Sequence, residues 1–421
     1  MSLVERDLKV IWHPYTQMQT AAPPIPIVSG EGALLVAEDG KTYIDAVSSW
    51  WVNIHGHSHP YIAAKVAAQL TKLEHVIFAG FTHTGAVELA ERMLEILPAN
   101  QSKVFYSDNG STAVEVAIKM CLQYWHNISQ PRTKVLAFNN AYHGDTFGAM
   151  SVSARSAFTN VFESLLFDVE FIDLPNADNI AGLKSHISHL KSNLACFIFE
   201  PLLQGSGGML MYDAEYLDEL MAHCRQENVL TIADEVLTGF GRTGKRFACD
   251  HLQEQPTVMC FSKGLTGGTM ALGLTTCTQQ IYDAFLSSDK LKTLFHGHSF
   301  TANPIAIAAA LASMDLFMLP DTMANIKRIE ESHLCFGSKI AHHPKLKECR
   351  QTGTIIALEW ETGGQTSYFN NLRDKLYNHF LEAGIILRPL GNVLYILPPY
   401  CITNEQLDYI YNKIEDAFDI F

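Results

Sequence analysis

Residues 229–236 have the sequence Val-Leu-Thr-Ile-Ala-Asp-Glu-Val, and residues 258–263 have the sequence Val-Met-Cys-Phe-Ser-Lys. Both begin with apolar or β-branched residues and end on charged ones, Asp234 and Glu235 in the first and Lys263 in the second. A short apolar run without polar alternation is typical of a strand buried on both faces of a sheet. Ligands of open α/β sheets bind at the carboxyl ends of the strands, so both stretches predict chemistry at that edge.

Runs of the same kind recur on both sides of these two, between about residues 83 and 280. The predicted strands are 103–107, 134–138, 195–199, 229–233, 258–261 and 272–277. Helical patterns lie between them, at 85–97, 112–126 and 214–226. Short buried strands that alternate with helices predict an α/β fold with an open, largely parallel sheet.

The chain after about residue 310 has a different pattern. Strands are predicted at 354–360, 385–388 and 393–397, close together in sequence, with helices at 365–382 and 404–418. This order favours a smaller α+β lobe. Residues 27–47 predict a β-hairpin, which is compatible with either lobe.

The 421-residue chain carries 30 Lys and Arg against 44 Asp and Glu, a formal charge of −14, and 48% of it is hydrophobic. This length predicts two to three domains, and an acidic chain without a basic cluster is a poor partner for nucleic acid. No uninterrupted apolar run approaches the ~20 residues of a membrane span, and charges stand where a signal peptide needs an apolar core. The 9 cysteines form no C-x-x-C pair, which favours reduced thiols in a cytoplasmic globular protein.

A lysine at the end of a buried strand has two interpretations. It is an ordinary rim residue that reaches solvent, or burial lowers its pKa and leaves a neutral amine that forms a Schiff base with a carbonyl. In the second interpretation, Gly264, Gly267 and Gly268, which follow Lys263, would let a planar cofactor approach the backbone.

Pyridoxal phosphate further requires a carboxylate at its ring nitrogen, an anion site and an aromatic ring. Asp234 suits the ring nitrogen, although an Asp-Glu pair alone would equally bind a metal or cap a helix. Residues 107–115 suit the phosphate. Thr112 and Glu115 have the spacing of a capping box at the start of a helix, and a turn comes directly before them. An ordinary capped helix has the same pattern. Tyr142 follows the strand 134–138 and supplies the aromatic ring.

Four other patterns have competing interpretations. Residues 239–244 match G-x-G-x-x-G, but no long helix follows, so we do not predict a dinucleotide site. Three alternating histidines at 55, 57 and 59 lack a Cys pair or an E-x-x-H helix, so we predict a loop and no metal. Residues 297–299 predict either a turn or a second phosphate contact through Ser299. Arg388 either binds a carboxylate bidentately or forms an ordinary salt bridge.

Together, residues 234–236, 238–244 and 262–268 resemble the signature of the class III, fold-type I, pyridoxal-phosphate-dependent aminotransferases, and the resemblance extends from residue 11 to 400. It implies a large domain with a mixed, mostly parallel sheet flanked by helices, plus a smaller α+β domain. We expect residues 48–310 to form the large cofactor-binding domain. Residues 1–47 and 311–421 are then the small domain with the N-terminal segment, because Tyr15 and Arg388 have to meet at one site.

Within this family, the chain most specifically resembles one branch, the aminotransferases of biotin synthesis. The matching stretches are 12–18, 48–51, 107–111, 141–151, 387–389 and 398–400. The resemblance implies amino transfer to 8-amino-7-oxononanoate, with S-adenosylmethionine as the expected donor, although these residues do not distinguish it from lysine. Ornithine, GABA or diamine aminotransferases share the cofactor residues and remain alternatives, as does an aminomutase of the same fold.

The resemblance also implies which residues contact the cofactor. Lys263 would bind it covalently, Asp234 would contact its ring nitrogen, and Gly110 with Ser111 would contact its phosphate. Tyr142 would stack near the ring, and with Lys263 and Asp234 it completes the catalytic set.

A homodimer with active sites at the subunit interface is implied too. Gly297 of the neighbouring subunit would line the substrate, while His298 and Ser299 would reach the phosphate. The family pattern here is Gly-Pro-Thr, so Ser299 keeps the hydroxyl and the role of His298 stays open.

For the small-molecule substrates, the resemblance implies an aromatic pocket with one cation. Tyr15, Trp50 and Tyr142 would shape the pocket for both amino donor and acceptor. Arg388 would bind the carboxylate of the keto acid, and Tyr395 would lie near it.

Overall fold

The computed structural model describes residues 1–363, 366 and 370–421. In chain order its strands are β1 Ile27–Glu31, β2 Leu34–Ala37, β3 Thr42–Asp45, β4 Gln101–Ser107, β5 Lys134–Phe138, β6 Val169–Ile172, β7 Leu194–Phe199, β8 Leu203–Gln204, β9 Leu210–Met211, β10 Leu230–Asp234, β11 Val258–Phe261, β12 Gly273–Thr278, β13 Leu346–Thr352, β14 Ile355–Trp360, β15 Ile385–Ile386 and β16 Val393–Ile396. Its α-helices are α1 Leu3–Val10, α2 Ser48–Trp51, α3 Pro60–Leu70, α4 Thr84–Ile96, α5 Gly110–Asn127, α6 Phe147–Ser151, α7 Ile180–Leu190, α8 Ala214–Gln226, α9 Gln279–Asp283, α10 Pro304–Phe317, α11 Pro320–Ile340, α12 Leu372–Glu382 and α13 Asn404–Ile420.

A seven-stranded sheet with the order β4-β12-β11-β10-β7-β5-β6 forms the centre of the molecule. The neighbours from β11 to β6 pair in parallel, whereas β12 is antiparallel to both β11 and β4. The six strands predicted from sequence are all present within two residues of the predicted bounds. Strand β6 was not predicted, because it is only four residues long and includes a glutamate.

Strand β7 shows why these strands lack polar alternation. Phe197 and Phe199 pack into the larger hydrophobic core on one face of the sheet. Cys196 and Ile198 pack into a second core on the other face, together with Trp125 of α5. All six residues of the strand are buried, so at this strand the sheet is covered on both faces.

Two smaller sheets bring the chain ends together. Strands β1, β2 and β3 form an antiparallel meander rather than a single hairpin, and β15 from near the C-terminus adds to β3 in parallel. A three-stranded sheet has the order β13-β14-β16. The N-terminal strands therefore pair with a C-terminal one. The division at residues 47 and 310 stays a prediction.

Helix α5 begins two residues before the predicted start. Its N-cap is Asn109, whose side chain accepts the Thr112 backbone N–H at 3.0 Å, so the predicted Thr112–Glu115 capping box was wrong. Glu115 instead accepts the Thr146 hydroxyl and the Gly148 N–H at 2.6 and 2.7 Å.

Two C-terminal elements are shorter than predicted. Strand β15 ends at Ile386, so Arg388 lies beyond the strand rather than at its end. Helix α12 begins at Leu372, and the predicted start at residue 365 lies outside the described residues.

Within the described ranges, no single helix is long and apolar enough to cross a membrane. Only α10 and α11 taken together reach that length and composition, and they are bent by 71° against each other.

Candidate active site

A cavity of about 640 Å³ opens at the carboxyl ends of the central strands. Its floor is made by residues that directly follow buried strands: Glu200 after β7, Asp234 at the end of β10 and Lys263 after β11. The start of α5 and the loop around Tyr142 form its walls. The sheet therefore gathers residues that are far apart in sequence at one edge, as predicted for an open α/β sheet.

Lys263 is half-buried and has a positive φ of 42°, directly after the end of β11. Its Nζ lies 4.6 Å from the centroid of the Trp51 ring. Burial lowers the pKa of Lys263 to about 8, although the Asp234 and Glu200 carboxylates act to raise it. An amine with this pKa exists in both protonation states near neutral pH, which suits a nucleophile and proton carrier.

Asp234 is buried and hydrogen-bonded through both oxygens. Its Oδ2 lies 2.7 Å from Nδ1 of His143, and its Oδ1 accepts the Val236 N–H at 3.0 Å. Because a carboxylate only accepts, the His143 Nδ1 carries the hydrogen. This bond favours the ionised carboxylate in a site that otherwise disfavours charge.

Glu235, next to Asp234, has a different surrounding. Its carboxyl group accepts the Thr238 hydroxyl at 2.6 Å and the N–H groups of Ala248 and Cys249. Burial raises the pKa of Glu235, against these hydrogen bonds. Glu235 therefore ties two loops together, and of the Asp-Glu pair only Asp234 lines the cavity.

The N-terminus of α5 faces the same cavity with Gly110 and Ser111. The Ser111 hydroxyl accepts the Asp145 N–H at 3.1 Å, which ties the helix start to the loop of Tyr142. Gly144 in this loop has a φ of 133°, and any Cβ there would overlap the Ser111 hydroxyl. The first turn of an 18-residue helix with an adjacent hydroxyl is a suitable anion site.

A second cavity of about 350 Å³ adjoins the first, since Tyr142, Asp145, Trp51 and Lys263 line both. Every sequence-predicted substrate residue except Gly297 lines it: Tyr15, Trp50, Tyr142, Lys263, Arg388 and Tyr395.

The aromatic rings of this cavity are fixed by polar contacts. The Tyr15 hydroxyl donates to Asp145 and lies 3.2 Å from that of Tyr142. Burial raises the pKa of Tyr142 well above its ordinary value, and the neighbouring Tyr15 and Asp145 raise it further. Tyr142 therefore stays protonated throughout the neutral range.

Arg388 and Tyr395 contact the two neighbouring tryptophans. The guanidinium carbon of Arg388 lies 4.2 Å from the centroid of Trp50, whereas the Tyr395 hydroxyl accepts the Nε1–H of Trp51 at 2.9 Å. Tyr395 is almost completely buried, so it supports Trp51, the ring beside Lys263, as well as lining the cavity.

Among the described residues, the lining of the two cavities does not include Gly297, His298 or Ser299. They lie in a loop in which the N–H of His298 donates to the Thr301 hydroxyl at 3.1 Å. Gly297 and Ser299 are exposed. The chain's own fold does not bring this loop to Lys263, and its predicted role across a subunit interface stays a prediction.

Several residues that line the large cavity were not predicted from sequence, among them Trp51, His143, Asp145 and Glu200. Trp51 lies next to the predicted Trp50, and His143 and Asp145 lie in the same stretch as the predicted Tyr142. Glu200 directly follows a predicted buried strand, which is the same signal that identified Asp234.

Among the described residues, no group of three His, Cys, Asp or Glu side chains is arranged to hold a metal ion. Of the alternating histidines, His55 contacts Ser313 at 3.0 Å and His57 contacts Asp45 at 2.9 Å.

Similarity to known proteins identifies the family to which the chain belongs. The family model of aminotransferase class III matches residues 15–418. An adenosylmethionine-8-amino-7-oxononanoate aminotransferase of Synechococcus elongatus is 47% identical, over 97% of this chain and 98% of that protein. The crystal structure of the enzyme of the same name from Methanocaldococcus jannaschii has a TM-score of 0.95 and 35% identity, and covers 99% of this chain and 98% of that one. An amine transaminase from an uncultivated Pseudomonas species, solved in its pyridoxal phosphate-bound form, has a TM-score of 0.91 and 30% identity, with coverage of 97% and 98%.

The fold and the site thus define a pyridoxal-phosphate-dependent enzyme of the fold-type I architecture. The chain belongs to aminotransferase class III, as the sequence motifs predicted, and is an aminotransferase. Its residues fit the cofactor: a basic amine, a buried carboxylate backed by a histidine and a helix N-terminus share one cavity, and Gly110 faces Val236 so closely that a Cβ would clash.

Proposed function

We propose that this aminotransferase transfers an amino group to 8-amino-7-oxononanoate, a step of biotin synthesis, with S-adenosylmethionine as the donor. Relatives that carry this name are 47%, 39% and 35% identical over nearly the whole chain. The observation that carries the proposal is the 350 Å³ aromatic cavity, which has the amine of Lys263 and the guanidinium of Arg388 in its lining. A long keto acid can place its carbonyl group near Lys263 and its carboxylate at Arg388.

Within the large cavity, Lys263 would hold pyridoxal phosphate, with Asp234 at the ring nitrogen and the α5 N-terminus at the phosphate. The bound cofactor supplies an electron sink for the C–H bond that transamination breaks. Asp234, whose Oδ2 lies 2.7 Å from Nδ1 of His143, would face the ring nitrogen and favour its protonated form. Gly110 and Ser111 orient the phosphate end, and the Tyr142 ring covers the site.

Lys263 would then act as the proton carrier. Its neutral amine would take a proton from the α-carbon of the amino donor, and its protonated form would give that proton back later in the reaction. A pKa near 8 makes both directions accessible at neutral pH. The Trp51 ring 4.6 Å away excludes water from one side of the amine.

The substrates would be recognised by charge. Arg388 offers two parallel N–H donors to the carboxylate of the keto acid. The exposed Asp145, which the Tyr15 hydroxyl orients, would attract the ammonium groups of acceptor and donor. Arg388 already covers one face of Trp50, so the rings of Tyr15 and Tyr142 are better placed to receive a sulfonium.

We further propose a cytoplasmic homodimer in which the loop 297–299 completes the other subunit's site. Phe295 and Phe300 flank this loop and are 72% and 63% exposed. Exposed aromatic rings on both sides of a polar loop favour burial against a second copy.

The test is a pair of half-reactions followed by cofactor absorbance, first with S-adenosylmethionine and then with 8-amino-7-oxononanoate. We expect the donor to convert the cofactor to its amine form and the keto acid to convert it back, while a Lys263→Ala variant does neither. Conversion by lysine but not by S-adenosylmethionine would contradict the donor.

A panel of ornithine, GABA, diamines and simple amines tests the main alternative, because an amine transaminase shares this fold at a TM-score of 0.91. If simple amines and small keto acids react faster than the proposed pair, the enzyme is a general ω-aminotransferase. Turnover of one substrate without a second would indicate an aminomutase.

A further inference from the structure

Glu200 is a buried carboxylate that the transamination scheme above does not use. It follows β7 directly, as Asp234 ends the neighbouring β10, so the two acids lie at the ends of adjacent parallel strands. Its exposed fraction is 4%, and it lines the large cavity together with Lys263. Burial disfavours the charge of a carboxylate, so neighbouring groups have to stabilise Glu200 at this edge of the sheet.

Two backbone donors converge on the Glu200 carboxyl group. Oε2 accepts the Tyr142 N–H and Oε1 accepts the Gly205 N–H, both at 3.1 Å. Gly205 is packed so tightly against Leu237 and Trp51 that a Cβ there would clash. Both oxygens have to accept, which a carboxylate does and the amide of a glutamine cannot, since its NH₂ group would face one of the N–H donors.

The carboxylate thus connects the loop that carries Tyr142 to the tightly packed turn at Gly205. Glu200 therefore bonds to the backbone of a residue whose side chain lines both cavities and whose hydroxyl lies 3.2 Å from that of Tyr15.

The charges that face Glu200 come from three other elements. Burial raises the pKa of Glu200 to about 7, while His143 acts to lower it and Asp234 to raise it further. Glu200 and Asp234 in turn favour the protonated form of Lys263, which Arg242 opposes. Glu200 and Lys263 line the same cavity, so the charged forms of the two groups attract each other.

We propose that Glu200 is a positioning residue of the transamination, which fixes the backbone of Tyr142 and supplies a negative charge beside the Lys263 amine. The inference rests on the proposed role of Lys263 but not on the identity of the keto acid. Glu200 does not need to touch the substrate for either effect.

The experiment compares Glu200→Gln and Glu200→Asp in the holoenzyme. The pH midpoint of the visible absorbance of the Lys263-bound cofactor is measured, besides kcat and KM. Removal of the charge in Glu200→Gln should lower the midpoint by about one pH unit, because a nearby opposite charge favours the protonated amine. Glu200→Asp keeps the charge but is too short for both N–H groups, so we expect a midpoint close to the wild type and a lower kcat.

A wild-type midpoint in Glu200→Gln would overturn the inference. If Glu200→Gln does not fold or bind the cofactor, the Asp variant decides: a midpoint one unit lower, or an unchanged kcat, contradicts it. Lys263→Ala is the reference for the proposed function. If that variant keeps the visible absorbance, the role of Lys263 fails, whatever the Glu200 variants show.

Discussion

The hydrogen bond between His143 and Asp234 gives the most direct test of the cofactor site. His143→Phe keeps an aromatic ring of similar shape in a buried position but removes the Nδ1–H that lies 2.7 Å from the Asp234 carboxylate. The Val236 N–H on the other carboxylate oxygen remains. The substitution therefore removes one of two bonds that favour the charge of Asp234.

The size of the effect follows from that geometry. A hydrogen bond to a charged group contributes about 1.5–3 kcal/mol. If this energy favours the ionised Asp234, and with it the protonated ring nitrogen in the transition state, its loss lowers kcat by about 10- to 150-fold at roughly 1.4 kcal/mol per tenfold. Lys263 and the phosphate site are untouched, so the protein should still bind the cofactor.

The assay measures kcat and the visible absorbance of the purified holoenzyme on the same sample. His186→Phe is the matched control, because its Nε2 lies 2.8 Å from Glu170, a similar histidine–carboxylate contact that lines neither cavity. We expect the control to keep kcat within about twofold of the wild type, since surface ion pairs contribute ~0–1 kcal/mol.

A His143→Phe enzyme with a wild-type kcat would refute the argument, because Asp234 would then act without the histidine. Loss of the cofactor absorbance would refute it differently, since His143 would then retain the cofactor rather than tune its ring nitrogen.

Three further predictions concern charge and backbone geometry. Lys263→Met should stabilise the cofactor-free protein below pH 8, and the difference in free energy of unfolding should vanish between about pH 8 and 10.5. In that window the unfolded wild type still binds a proton that the folded state has released, so wild-type stability rises with pH; a constant difference in urea titrations would contradict this. Arg388→Ala should raise KM for the keto acid about 10- to 100-fold with little change in kcat, and a rise in KM for the amino donor alone would show that Arg388 binds something else. Gly144→Ala should weaken cofactor binding at least tenfold by equilibrium dialysis, because its Cβ would meet Ser111 at a positive φ, whereas Gly182→Ala, with open space around it, should not.

Part of this site was accessible from sequence because its residues directly follow buried strands. Asp234 and Lys263 could be located from two apolar runs, and the strands themselves lay within two residues of the predicted bounds. Glu200 carried the same signal after β7 but was not among the predicted residues.

Errors arose where a local pattern had two solutions. Thr112 and Glu115 have the spacing of a capping box, but Asn109 caps the helix instead, and Glu115 bonds to a loop more than thirty residues away. A sequence pattern states which bonds are possible, and the packing of distant segments selects among them.

The amino-acid sequence by itself determined the alternation of strands and helices, the residues at the strand ends and the family, because burial of apolar side chains is encoded in short stretches. The tertiary structure alone decided which strands pair and which strand ends and loops meet. It reversed β12 within a parallel sheet, paired β15 with β3 across the whole chain, and brought Tyr15 and Arg388 into one cavity with Lys263. The physical reason is that strand order and loop docking depend on contacts between residues far apart in sequence, which no local periodicity contains.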